Sequence, residues 1–224
     1  MDFDLSHYDS SYYAIKKKEY EQGKAWKIEP FFDGLQVRDK TVLDYGSAAG
    51  NMAREAVKRQ AGTVVAYDPI YDDHAEIVDL VKSEGIDFVT TKNLRSIDDK
   101  FDLIFCSDVI EHVVSYEIES FVGELLRFAH DQSVICLNSP VKINLACLTG
   151  SPLASATQGH INVMNPWKVK RIFGKFGFLL QLPPMVLGVS KKPVLRRFGD
   201  LPYPLNCIWG GHYFMRFASG TNAG

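Results

Sequence analysis

The chain has 224 residues, 46% of them apolar and 12% aromatic, with a formal net charge of −2. Disorder is excluded as the main state, and the length suits one compact α/β domain with a sizeable core. Collagen-like and repeat architectures are excluded as well, because the 17 Gly and 10 Pro follow no period. The longest apolar stretch, 176–189, is too short for a membrane span and is broken by Pro183-Pro184. The acidic, polar start MDFDLSHYDS does not read as a secretion signal. Cys106, Cys136, Cys147 and Cys207 show no C-x-x-C spacing and read as free buried thiols in a reducing cytoplasm.

The first 40 residues are rich in Tyr and Lys and predict helical pieces, one ending near Gly23 and a short one around 30–35. Residues 41–44 predict a buried strand that runs into a turn of small residues, 46–50. A helix over 51–60 follows, stopped by Gly62, then a strand over 63–67 ended by Asp68-Pro69. A helix over about 72–83, with Gly85 as its stop, precedes strands at 86–89 and 101–106. Between Tyr116 and Ala129, the apolar Ile118, Phe121, Val122, Leu125, Leu126 and Ala129 recur at helical spacing, which makes one buried stripe. A strand is expected at 133–137, then a long polar stretch, 138–164. Asn165-Pro166 has the form of an N-cap with Pro at N1 and opens a helix to about Phe173. Strands at 178–182 and 212–217, joined by a long Pro-rich connection, complete the chain.

Strands alternating with helices imply β-α-β units in a mostly parallel sheet, with the ligand site at the carboxyl ends of the strands. Charge is uneven along the chain: residues 1–131 carry a net −11 and residues 132–224 a net +9. The basic residues cluster at Lys168, Lys170, Arg171 and Lys175, and at Lys191, Lys192, Arg196 and Arg197. They read as a solvated face; the functional alternative is a surface that attracts an anionic substrate, RNA or acidic lipid.

The turn after the first strand reads Asp44-x-Gly46-x-x-x-Gly50. The dinucleotide fingerprint G-x-G-x-x-G fails at Ala48 and Asn51, and no G-K-[ST] follows for a phosphate-cradling P-loop. An acid two residues before the first Gly repels diphosphate and suits a cation. Asp68, at the tip of the second strand, is placed to accept hydrogen bonds from a ribose diol. Such a pocket asks for a ribose and a positive group without phosphate, which S-adenosylmethionine supplies.

On these residues, VLDYGSAAGNMAREAVKRQAGTVVAYDP with FDLIFCSDVIEHV resembles the class I S-adenosylmethionine-dependent methyltransferases, best over residues 40–137. The chain matches that family's first motif at Asp44, Gly46 and Gly50 and departs at Ala48. The resemblance implies a Rossmann-like, doubly wound, mostly parallel seven-stranded α/β sheet, with GGHYFMRFA as its antiparallel last strand. It implies one methyltransferase domain, made of a helical lid (1–39), a donor-binding core (40–137) and a substrate-side half (138–224). Its cofactor is S-adenosyl-L-methionine, held by Asp44, Gly46, Ser47, Ala48, Gly50, Asp68, Pro69, Ser107 and Asp108, with Asn93-Leu94 against the adenine.

The I-E-H-V run, 110–113, resembles the subgroup with the ubiquinone-biosynthesis O-methyltransferases, and the small-RNA 2′-O-methyltransferases carry a similar segment. His112 is read first as a general base, next to Glu111, with His160 arriving from the 138–165 loop. A structural histidine is the second reading. The third is a metal set of Asp108, Glu111, His112 and His160, which requires the first three to share a helical face. The expected enzyme methylates an O or N atom of a small-molecule acceptor in the cytoplasm. The alternative is a metal-dependent RNA 2′-O-methyltransferase.

Overall fold

The structure is a computed structural model that describes residues 10–21, 28–69, 78–79, 82–83, 86–89, 94, 97–140, 161–181, 185–188 and 210–220. In chain order its elements are α1 (Ser10–Glu21), α2 (Glu29–Phe32), β1 (Thr41–Tyr45), α3 (Asn51–Lys58), β2 (Thr63–Tyr67), β3 (Asp87–Val89) and β4 (Phe101–Ser107). A 3₁₀ turn (Ile110–His112), α4 (Ile118–Leu126), β5 (Ala129–Pro140), α5 (Pro166–Lys175), β6 (Phe178–Leu180), β7 (Met185–Gly188) and β8 (Gly210–Ser219) follow. Val78, Asp79 and Lys82 are helical, inside the expected 72–83 helix. Asn93, His160, Cys147, Cys207 and the two long connections, 141–160 and 189–209, lie outside the described residues.

The strands form one sheet in the order β3-β2-β1-β4-β5-β8-β6. β1 to β5 run parallel to their neighbours, and β8 runs antiparallel to β5. Among the described residues the sheet holds eight strands where seven were expected. β6 and β7 both pair antiparallel with β8, β6 opposite Phe217–Ser219 and β7 opposite Gly210–Phe214, so two short strands share the outermost position. β7 falls inside the stretch read as a Pro-rich connection. It is a strand because β8 offers it an edge. β5 likewise exceeds the expected 133–137, since β8 keeps pairing with it as far as Pro140, opposite His212.

Strand alternation sorts the core onto the two faces of the sheet. Leu43, Ile104, Ile135, Leu137, Tyr213 and Phe217 pack with Phe121, Val122 and Leu125 of α4 and Ile172 and Phe173 of α5. Phe173 stacks on Phe217 at 4.2 Å. Val42, Leu103, Phe105, Cys136 and Phe214 face Phe31, Phe32 and the Ala53 and Ala56 side of α3. Phe31 lies 4.9 Å from Phe214, and Phe32 lies 4.7 Å from Phe105, ring to ring. Arg216 ties this segment down by donating to the Asp33 carbonyl at 2.7 Å. Residues 28–37 therefore belong to the core, with each buried Phe contributing about 1.5–3 kcal/mol of transfer free energy. The stripe read for α4 is present at Ile118, Phe121, Val122 and Leu125, but the helix ends at Leu126 and Ala129 opens β5 instead of extending the stripe. The Asn165 cap of α5 is present and accepts from the Trp167 N–H at 2.8 Å.

Cys106 and Cys136 are free and buried. Among the described residues no helix is long and apolar enough to cross a membrane.

Candidate active site

The site is built from the turns at the carboxyl ends of β1, β2 and β4. The turn after β1 crosses the tip of β2: the N–H groups of Gly46 and Ser47 donate to the Tyr67 carbonyl at 2.8 and 2.9 Å. Gly46 has φ +77°, and a Cβ there would stand 2.3 Å from Val109 Cγ2. Conformation and space thus both demand glycine, and the first turn packs directly on the one after β4. Ala48, where the family motif has glycine, keeps a left-handed φ of +47°. Its N–H donates to Asp68 Oδ2 at 2.8 Å, so the second acid holds the strained turn in place.

Asp44 has two roles. The N-cap of α3 is Gly50, which has no side chain to offer, and Asp44 Oδ2 reaches across from β1 to accept the Ala53 N–H at 3.0 Å. Its Oδ1 is buried with no hydrogen-bond partner among the described residues. Burial lifts its pKa first; the Ala53 N–H and Arg54 oppose the lift, the negative charge of Asp68 adds to it, and the carboxyl ends near 7. Arg54 is itself buried, with its guanidinium donating to the Ala49 carbonyl and to Asn51 Oδ1.

After β4 the chain turns through Asp108 at φ +54°, and the Asp108 N–H donates to Asn138 Oδ1 of β5 at 2.7 Å. Asp108 Oδ1 lies 3.0 Å from Nδ1 of His212. Glu111 is wholly buried, and its carbonyl accepts the Asn162 N–H at 2.9 Å. His112 is half-buried on the 3₁₀ turn. The thiol of Cys106 is pushed far up, first by burial and then by the negative charges of Glu111, Asp44 and Asp108.

The expected donor-binding residues Asp44, Gly46, Ser47, Ala48, Gly50, Asp68, Pro69, Ser107 and Asp108 therefore lie at the carboxyl ends of β1, β2 and β4 and on the turns that follow them. Leu94 is a core side chain, 2% exposed, whose carbonyl accepts from Arg127 at 3.1 Å. The helical face required of Asp108, Glu111 and His112 does not form. Asp108 is left-handed, the turn is 3₁₀, and Glu111 is sealed inside while Asp108 meets His212. Among the described residues no three His, Cys, Asp or Glu side chains are grouped to hold a metal ion.

His212 and Asn138 were not singled out from the sequence. A signal for His212 existed: an antiparallel last strand starts where parallel strands end, so its first residues border the ligand site. The arrangement as a whole is acidic and suited to a cation. The orphaned oxygen of Asp44 and the turn over Gly46 fit a positively charged nucleoside and would repel a diphosphate.

A methyltransferase-domain family model matches residues 18–181. No curated protein matches the sequence. Among solved structures, an S-adenosylmethionine-dependent methyltransferase from Archaeoglobus fulgidus superposes with TM-score 0.61 at 16% identity, covering 93% of this chain and 99% of the other. The complex of DhpI with S-adenosylmethionine and HEP gives 0.59 at 15%, covering 97% and 99%. Magnesium protoporphyrin IX methyltransferase (ChlM) from Synechocystis PCC 6803, with S-adenosylmethionine bound, gives 0.57 at 15%, covering 91% and 79%. The family match spans well over half of the sequence, and the α/β fold agrees with it: the chain belongs to the methyltransferase-domain family, as an enzyme of the class I S-adenosylmethionine-dependent type.

Proposed function

We propose that this enzyme takes its methyl group from S-adenosylmethionine and delivers it to an oxygen or nitrogen atom of a small-molecule acceptor. The observation that carries this reading is the buried Asp44, one oxygen spent on the α3 cap and the other without a partner among the described residues, beside Asp68. The sulfonium supplies an activated methyl group when the donor is bound. The chain then has to attract the cation, align the acceptor and exclude water. Asp44 and Asp68 provide the negative charge, and Asp68 is also the acceptor for ribose hydroxyls. The turn 46–50 lets backbone approach the donor closely, and Ser107 and Asp108 border it from β4.

The solved neighbour that is a magnesium protoporphyrin IX methyltransferase supports a small acceptor here. The acceptor is proposed to lie near His112 and His212. α1 is proposed as a lid over it.

Calorimetric titration with S-adenosylhomocysteine tests the donor site, and binding is expected. Incubating the protein with a metabolite extract and isotopically labelled S-adenosylmethionine, read by mass spectrometry, tests the acceptor class. A folded sample that does not bind the homocysteine product removes the donor assignment. Label found only in macromolecules removes the small-molecule assignment.

A further inference from the structure

Two imidazoles border the site, and they differ in how they are held. His112 sits on the short 3₁₀ turn. His212 sits in the sheet, on β8, opposite Pro140 of β5 on one side and Leu187 of β7 on the other. Its Nδ1 is 3.0 Å from Asp108 Oδ1, and its side chain is 18% exposed against 33% for Asp108. Asp108 in turn keeps a left-handed backbone, φ +54°, fixed by the Asn138 side chain. Strain of this kind persists only where surrounding contacts hold it, and it concentrates at functional sites.

We propose that His212 and Asp108 form a catalytic dyad in which His212 Nε2 is the base that deprotonates the acceptor. The proposal rests on the acceptor reading above and deepens it. The 3.0 Å contact is an ion-pair distance without an aligned hydrogen bond; in the proposed dyad the two side chains align so that Asp108 accepts the Nδ1 proton and selects the tautomer whose lone pair is on Nε2. As the acceptor's O or N lone pair forms its bond to the methyl carbon, the acceptor proton passes to Nε2. The carbon–sulfur bond breaks and its electron pair stays on sulfur. The products are the methylated acceptor, a neutral thioether and an imidazolium paired with Asp108. Partial exposure lets that imidazolium return its proton to water. A base mounted on a strand paired on both sides and set beside a carboxylate is more rigid than one on a turn, which favours His212 over His112 for this task.

The test compares the parent protein, His212→Gln and His112→Gln. Their affinities for S-adenosylhomocysteine are measured first, then turnover on the metabolite pool that the parent methylates. His212→Gln is expected to bind S-adenosylhomocysteine within about threefold of the parent and to lose about 100-fold or more in kcat, in the range of general-base catalysis. His112→Gln should lose less. Independently of turnover, ¹⁵N NMR of the parent should show neutral His212 as the Nδ1–H tautomer, a preference lost in Asp108→Asn. Full activity in His212→Gln, loss of S-adenosylhomocysteine binding in that variant, or an Nε2–H tautomer in the parent would each overturn the dyad. Failure of the parent itself to methylate any small molecule would instead overturn the acceptor reading, and the NMR result would still decide the dyad.

Discussion

The two ends of β1 and β4 treat their carboxylates in opposite ways. At the amino end, Asp102 accepts the Thr41 N–H and hydroxyl at 2.9 and 3.1 Å and Lys40 Nζ at 3.3 Å, while its own N–H donates to Thr41 Oγ1 at 3.0 Å. Partial burial pushes Asp102 up, but these donors outweigh it and hold the carboxyl below its usual range. At the carboxyl end, Asp44 is fully enclosed, receives one N–H and faces the charge of Asp68, and its pKa rises to about 7. The first arrangement clamps two strands and stabilises the fold. The second holds a carboxylate whose charge is unfavourable until a proton or a cation meets it. One sheet thus keeps its stabilising carboxylate and the proposed donor-binding ones at opposite ends, so mutation can separate the two functions.

Asp44→Asn is expected to have the largest effect. It keeps an oxygen for the Ala53 cap and removes the charge, so S-adenosylmethionine affinity should fall about 100-fold by calorimetry, the scale of a lost charge-assisted hydrogen bond. Its stability should change the other way. A folded-state pKa raised from 3.8 to about 7 means that only the folded form holds the proton between those values, so stability falls as pH climbs through that window, by about 4 kcal/mol in total. Urea unfolding at pH 8 should therefore show Asp44→Asn more stable than the parent, with little difference near pH 4. Equal or lower stability at pH 8 would mean that Asp44 is an ordinary structural carboxylate.

The same titration predicts that the parent's affinity for S-adenosylmethionine rises by up to about tenfold per pH unit below 7 and levels off above it, because binding favours the ionised form. The Asp44→Asn variant should show a flat profile, and proton release on binding at pH 6 should be seen only in the parent.

At the opposite end, Asp102→Ala should lower stability by about 1–2 kcal/mol, discounted for its partial exposure, and leave S-adenosylhomocysteine affinity within about twofold. A lowered pKa contributes stability above the unfolded value near 4 and loses it in acid, so the difference from the parent should shrink below about pH 4. A large loss of affinity in this variant would erase the division between the two ends. The smallest effect is expected from Ala48→Gly. Relief of the left-handed strain exceeds the entropic cost of glycine by less than about 1 kcal/mol, which should appear as a small rise in thermal midpoint.

Local pattern was enough for the strands that carry the proposed donor site. β2 spans 63–67 as read, β1 and β4 differ by a residue at one end, and the Asp44, Gly46, Gly50 and Asp68 positions follow from turns between adjacent elements. The buried stripe of α4 and the Asn165 cap were legible for the same reason: periodicity and capping are properties of a few neighbouring residues. Long-range pairing was not legible. β7 exists because β8 has an edge to offer it, and β5 lengthens because β8 continues beside it. His212 reaches Asp108 across 104 residues of chain by the same pairing. Glu111 and His112, read as neighbours in one active group, part company because a left-handed Asp108 and a 3₁₀ turn send one inside and leave the other half-exposed. The sequence alone determined the β-α-β alternation behind the sheet's parallel core, the acid–glycine turn and the chemistry that such a turn can attract, since each is written in the pattern of adjacent elements. Only the tertiary structure decided which histidine the site's carboxylate meets and which acid carries a raised pKa, because burial and strand pairing depend on residues far apart along the chain.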